Sequence, residues 1–403
     1  ATLADISEKP QDEKLIRARV DQNANIDEKI SIALSLSARR GIADEILAKF
    51  AQDADSRLRM AVARSTASEG RLDFLLKLSR DNEDEIRRLA VISLSGFGTS
   101  ANSAVNAIIE RLADEELLVR NAAEDALISL KITGEYLAQI SSDKLNDPAG
   151  VASAIRVLGE LKHSPAAEEI RKILNETKNL EVRRRALIAL GKLEYKESAK
   201  DVAKFADDSE KEIKRATAYA LGQFKDKDTF DTIARLASDK DAEVSAEASI
   251  AIFKTADPFF EKTVISNLKR VKESFLVRSA AAKAASTSCV NSASVVKELQ
   301  KVALDKIIPL EGGPFFDADQ ARASAAWALA DIAKANMKFA NNAYIVFEKL
   351  QTPPEKQDEK FVSSEFLIDC AAQAQAHFEG KEVKQSEITP SKPNLIIRKI
   401  KGN

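Results

Sequence analysis

Cysteine and histidine are scarce in this chain of 403 residues, which has two of each. Cys289 and Cys370 lie far apart and form no CxxC, which excludes a disulfide framework and a cysteine zinc site. His163 falls in the turn-like stretch Lys162-His163-Ser164-Pro165, where a solvated side chain explains it. His377 stands about two helical turns from Cys370, a poor spacing for a catalytic pair. Aromatic residues make up only 5%, with a single tryptophan, Trp327, so the core must be built from Ala, Leu, Ile and Val. Thirteen glycines and ten prolines are few for this length and argue against the turn-rich β classes. No apolar run reaches about 18 residues, so no segment reads as a membrane span. The 61 basic and 63 acidic side chains nearly cancel, leaving −2 and no nucleic-acid footprint for the chain as a whole. HExxH, the phosphate-binding loop, GxSxG, the dinucleotide fingerprint and CxxCH are all missing. The sequence therefore offers no catalytic residue, no cofactor site and no metal ligand, and it is not expected to be an enzyme.

What the chain has in quantity is a recurring phrase. It reads Leu58-Arg59, Ile86-Arg87, Val119-Arg120, Val182-Arg183, Ile213-Lys214 and Val277-Arg278. With Gly150 and Val244 added, the anchors step by 28 to 33 residues. A period near 31 suits two helices of about ten residues joined by tight turns. Four residues after the anchor comes a small residue (Ala90, Ala123, Ala186, Ala248), and eight after it Leu or Ile (Leu94, Leu127, Leu190, Ile252). Offsets 0, 4 and 8 share one helix face and form the core stripe. Gly159, Gly191 and Gly222 follow the Leu directly, where helices crowd. Asp53, Asp81, Asp114, Asp208 and Asp239 precede their anchors by five residues, as a helix cap or a loop closure. The cation after the anchor is expected to reach an Asp of its own or of the next repeat. Asp53, Arg59, Asp81, Arg87, Asp114, Arg120, Arg183, Asp208 and Lys214 form this structural series. Val151 and Ser245 interrupt it, standing where Arg is expected.

The pattern Asp-x4-Val/Ile-Arg-x3-Ala-x3-Leu-Gly, clearest over 81–97, 180–193 and 209–224, resembles the HEAT-repeat superfamily. It looks most like the short type called PBS-lyase HEAT-like repeats. The resemblance implies an all-α fold, a right-handed α-solenoid (superhelix) of about ten to eleven helical hairpins. It says little of function, because such repeats occur in lyases, scaffolds and regulators alike.

Four regions follow from the pattern. Residues 1–50 read as an N-terminal arm and capping hairpin, and 51–300 as regular repeats. Residues 301–380 read as irregular repeats with an inserted loop at 306–319, and 381–403 as an extended basic tail. The insertion carries Phe315-Phe316 beside Gly-Gly-Pro, and these rings either face a partner or tuck against Trp327. In the tail, Leu395, Ile396, Ile397, Arg398 and Lys399 form a β-prone basic stretch suited to docking on a partner. Phe315, Phe316, Trp327 and these tail residues are the partner-binding candidates. A long stack without catalytic groupings is expected to act as a non-catalytic protein-binding scaffold or adaptor, or as a structural subunit of a larger assembly. A bilin-lyase-like chaperone has thin support, given so few aromatic, His and Cys residues. A nucleic-acid binder would rest on Arg39-Arg40, Arg87-Arg88 and Arg183-Arg184-Arg185, against the near-neutral charge. The cytoplasm is the expected compartment, Ala1 fitting simple removal of Met; cleavage of a signal peptide before Ala1 would instead make the protein periplasmic or otherwise exported.

Overall fold

The computed structural model describes residues 18–19, 24–38, 44–132, 147–270, 275–305, 316–352 and 364–381. Among them are twenty α-helices, short 3₁₀ turns and no strand. The chain divides into two compact units, Ala1–Leu193 and Glu194–Asn403.

The first unit runs α1 (Ile26–Ser37), α2 (Asp44–Phe50), α3 (Ser56–Ala63), α4 (Leu72–Leu78), α5 (Asp84–Ser95), α6 (Asn102–Glu110), α7 (Leu117–Leu130), α8 (Pro148–Glu160), α9 (Ala167–Glu176) and α10 (Leu180–Lys192). Helices α3, α5, α7, α8 and α10 carry the anchors. Together with α1 they pack side by side as one layer. The connecting helices α2, α4, α6 and α9 pack against the anchor helix that follows each of them. The second unit repeats this plan with α11 (Ala199–Ala203), α12 (Lys211–Phe224), α13 (Phe230–Ala237), α14 (Ala242–Thr255), α15 (Glu261–Leu268), α16 (Phe275–Ser288), α17 (Ala293–Ala303), α18 (Phe316–Ala335), α19 (Ala340–Leu350) and α20 (Glu365–Phe378). Here α12, α14, α16, α18 and α20 form the anchor layer.

Local chemistry explains both ends of these helices. Asp55, Asn179 and Asp241 act as N-caps of α3, α10 and α14, accepting from backbone N–H groups two or three residues on. Asp147 caps α8 in the same way, with Pro148 in the first turn. At the far ends of α7, α12 and α14, Lys131, Lys225 and Ala256 turn left-handed with φ near 50°. Their N–H groups close back on Ile128, Leu221 and Ile252. The core stripe lies as the spacing predicts. Val182, Ala186 and Leu190 of α10 are all buried, as are Ile213, Thr217 and Leu221 of α12. Each large aliphatic side chain so buried contributes about 1.5–3 kcal/mol.

Small residues set the spacing of the anchor layer. A Cβ added at Gly159 would lie 2.9 Å from the Cα and Cβ of Ala189, across the α8–α10 contact. One added at Gly222 would lie 2.7 Å from Ala251 Cα, across the α12–α14 contact. Glycine at these crossings admits the backbone of the next helix, which the Leu-Gly pairs foreshadow.

Candidate partner-binding face

The anchor helices bury offsets 0, 4 and 8, so offsets near −1, 2, 6 and 10 point away from the connecting helices. In the first unit this face holds a groove of about 490 Å³ between α5 and α7. Its lining includes two exposed aliphatic side chains, Ile92 at 47% and Leu118 at 61%, beside Ala122 and Ala126. Its margins are charged. Arg88 is held by Glu85 at 2.7 Å. Asp125 accepts from Arg156 at 3.2 Å, and Arg156 also ties down the buried Glu124.

In the second unit the same face carries rings and cations. Lys254 of α14 lies 4.8 Å over the ring of Tyr219 on α12. Lys283 of α16 lies 4.9 Å over the ring of Phe253 on α14. Trp327 of α18 packs on His377 of α20 at 5.5 Å, and His377 Nε2 lies 3.0 Å from Asp331 Oδ1. All these side chains are half-buried. Burial lowers the proton affinity of Lys254; Glu247 works against that, while Lys283 and Lys225 add to it. Burial likewise raises the Glu247 carboxyl, against the opposing pull of Arg215 and Lys254.

Of the partner-binding candidates, Trp327 lies on this face. Phe316 opens α18, and its side chain lies outside the described residues, as does Phe315. Leu395, Ile396, Ile397, Arg398 and Lys399 also lie outside them, together with the N-terminal arm and most of the insertion. The signal for the Tyr219–Lys254 and Phe253–Lys283 contacts was present in the sequence at offsets 6, 9 and 10. Its chemistry changes from repeat to repeat, so aligning like residues does not find it.

The charged series behaves differently. Arg59 donates from Nε and Nη2 to both oxygens of Asp81 at 2.7 and 2.9 Å. Arg87 makes the same fork on Asp114 at 2.9 Å. Lys214 reaches Asp239 at 2.9 Å, and Arg278 reaches Asp305 at 2.8 Å. Each of these four cations meets the carboxylate of the following hairpin. Arg59, Arg87 and Arg120 also donate from Nη1 to the backbone carbonyls of their own Asp53, Asp81 and Asp114. Arg183 donates to Thr177 O. The aspartates close loops: Asp53, Asp81, Asp114, Asp208 and Asp239 each accept from the N–H two residues on. Burial alone would raise the Asp81 carboxyl, but Arg59 and the Glu83 N–H outweigh it and hold it below the usual range. Where Ser245 replaces the cation, Arg270 reaches back from the next hairpin. It donates to Asp239 O at 3.0 Å and to Ser245 Oγ at 2.9 Å.

Arg39 and Arg40 lie outside the described residues, and the other arginine clusters are engaged within the chain. Arg87 is held by Asp114, and Arg88 by Glu85. Arg184 and Arg185 share Glu181. Among the described residues, no group of three His, Cys, Asp or Glu side chains is placed to hold a metal ion. No helix among them is long and apolar enough to cross a membrane. Burial pushes the thiols of Cys289 and Cys370 up to about 12, Glu261 adding to the first and Asp369 and Asp319 to the second.

Paired helices stacked in two layers make each unit an α-solenoid. The particular repeat follows from sequence: residues 137–213 and 199–286 match the family model for HEAT repeats. The fold is similar to importin beta, at TM-score 0.61 and 13% identity over 91% of this chain and 60% of that one. It is similar to yeast importin-beta (Kap95p), at 0.60 and 14% over 91% and 57%. It also resembles Kap121p bound to Pho4p, at 0.51 and 13% over 94% and 49%. The chain thus spans about half to three-fifths of these proteins' lengths, and at such identity the likeness is one of fold. No curated protein matches the sequence.

Proposed function

We propose that this protein is a non-catalytic scaffold that binds a protein partner through the exposed face of its anchor helices. The observation that supports this most is the make-up of that face. In each unit, apolar or aromatic side chains lie partly open on it between charged neighbours, while the charged series beneath is engaged within the chain. Such a mixture, with aromatic groups central and charges at the margin, is what protein interfaces use. One of the similar folds, Kap121p, is described as bound to a protein, Pho4p. The tail around Leu395–Lys399 and the Phe315-Phe316 loop are proposed as additional contacts.

The test is to purify the full chain from its native source and identify retained proteins by mass spectrometry. Ile92→Asp with Leu118→Asp, and Lys254→Glu with Lys283→Glu, are expected to release a retained partner. Lys200→Glu with Lys262→Glu, both exposed on connecting helices of unit 2, is expected to keep it. Retention unaffected by both face variants contradicts the reading. A retained chromophore with a visible absorption band would instead favour a lyase-like role.

A further inference from the structure

We infer that the face of the second unit around Tyr219, Phe253, Lys254 and Lys283 takes an extended acidic segment of the partner protein. This rests on the scaffold reading and gives its partner a chemistry. Two consecutive contacts are built alike. In each, a lysine ammonium lies over the ring of the preceding anchor helix, 4.8 or 4.9 Å from the ring centre. The ring face holds the charge in place. Both lysines are half-buried, and burial has partly stripped the Lys254 ammonium of water before a ligand arrives.

Around Lys254 the balance is positive: Lys225 and Lys283 repel its ammonium, and Glu247 attracts it. Glu247 is itself partly desolvated and binds its proton more readily than an exposed glutamate. The nearby Arg215 is taken by Glu243 at 3.0 Å. The chain as a whole carries −2, so attraction for an acidic ligand is a property of this patch, not of the bulk charge. An arriving carboxylate relieves the repulsion felt by Lys254 and replaces water that its ammonium has already partly lost.

Geometry favours an extended ligand. Packed anchor helices lie about 8–10 Å apart. A polyproline-type strand advances about 3.1 Å per residue and returns to the same side every third residue. A carboxylate at every third position therefore meets Lys254 and then Lys283.

The test measures fluorescence anisotropy of labelled Glu-Pro-Pro repeats with the full chain, against Lys-Pro-Pro repeats of equal length. The acidic peptide is expected to bind at low salt and to weaken steeply as the salt approaches 1 M, where screening reaches about 3 Å. Lys254→Glu with Lys283→Glu is expected to lower its affinity by about tenfold or more, one pair of lost charge contacts being worth at least that. Glu247→Gln, which removes the opposing carboxylate, is expected to strengthen it. Lys200→Glu with Lys262→Glu, exposed on the connecting helices α11 and α15, is expected to leave it unchanged. Circular dichroism checks that each variant is folded. Equal binding of acidic and basic peptides overturns the inference. So does a folded double reversal that binds as wild type, or tighter binding of a single-stranded oligonucleotide. If a partner is retained from the native source and released by Ile92→Asp with Leu118→Asp, but the peptide does not bind and Lys254→Glu with Lys283→Glu has no effect, the acidic assignment fails and the scaffold reading stands. If no partner is retained, the scaffold reading itself fails.

Discussion

Arg87 forks onto both carboxylate oxygens of Asp114 at 2.9 Å, joining one hairpin to the next with both side chains almost fully buried. A pair this buried is costly to break from one side, because the remaining charge is left in a poorly solvating place. Asp114→Ala is expected to destabilise the first unit by about 3–5 kcal/mol in urea unfolding. Arg87→Met combined with Asp114→Leu is expected to recover most of that loss. Glu110→Gln, which breaks the exposed pair with Arg80, is expected to cost no more than about 0.5 kcal/mol. Similar losses for Asp114→Ala and Glu110→Gln would mean the buried forks hold nothing together.

The helix crossings make a second, steric prediction. Gly222→Ala drives a methyl to 2.7 Å from the backbone of α14 and is expected to cost about 1–3 kcal/mol. Ala251→Gly is expected to rescue it only in part. It removes the clash with Ala251 Cβ and leaves the one with Ala251 Cα. Full rescue would show that side chains alone set the spacing.

Ala256 ends α14 in the left-handed region at φ 52°, a conformation glycine adopts without a Cβ penalty. Ala256→Gly is expected to raise stability by about 0.5–1 kcal/mol, seen as a higher melting temperature. A fall would mean that the unfolded chain's added freedom outweighs the relief of strain.

How much of this was legible in the sequence depends on whether repetition reinforced the signal. Offsets 0, 4 and 8 recur with the same residue types, so the buried stripe of Val182, Ala186 and Leu190 could be read directly. The spacing of cation and aspartate was equally visible, though not which hairpin each cation would reach. Arg270 could not be found in this way, since it acts for the missing cation at Ser245 from a loop position outside the register. The lysine-on-ring contacts escaped for another reason. They join unlike residues at different offsets on neighbouring helices, and only packing brings them together. The division between Leu193 and Glu194 leaves no mark either, because the repeat period runs across it.

Acid should loosen the fold through the aspartates that close these loops. The Asp81 and Asp239 carboxyls sit below their usual range, because hydrogen bonds outweigh the raising effect of burial. A depressed native value stabilises the fold above the unfolded value of about 3.9. That contribution is lost as pH falls through the lower native value. Stability is expected to drop below about pH 4, and Asp81→Asn to flatten part of the drop in an acid titration followed by circular dichroism.

The cysteines offer an independent measure of folding. With both thiols pushed up to about 12 by burial, they hold little thiolate near pH 8. Iodoacetamide is expected to label Cys289 and Cys370 only once the chain unfolds. Rapid labelling of the native protein would contradict the burial of either site.

A partner seated on the anchor-helix face brings its own lysines close to those of that face. Lysine cross-linking of the full chain with its retained partner, read by mass spectrometry, tests this seating. Cross-links from the partner are expected at Lys254 and Lys283 and to be missing at Lys200 and Lys262 of the connecting helices. Cross-links confined to Lys200 and Lys262 would place the partner on the connecting side and contradict that seating.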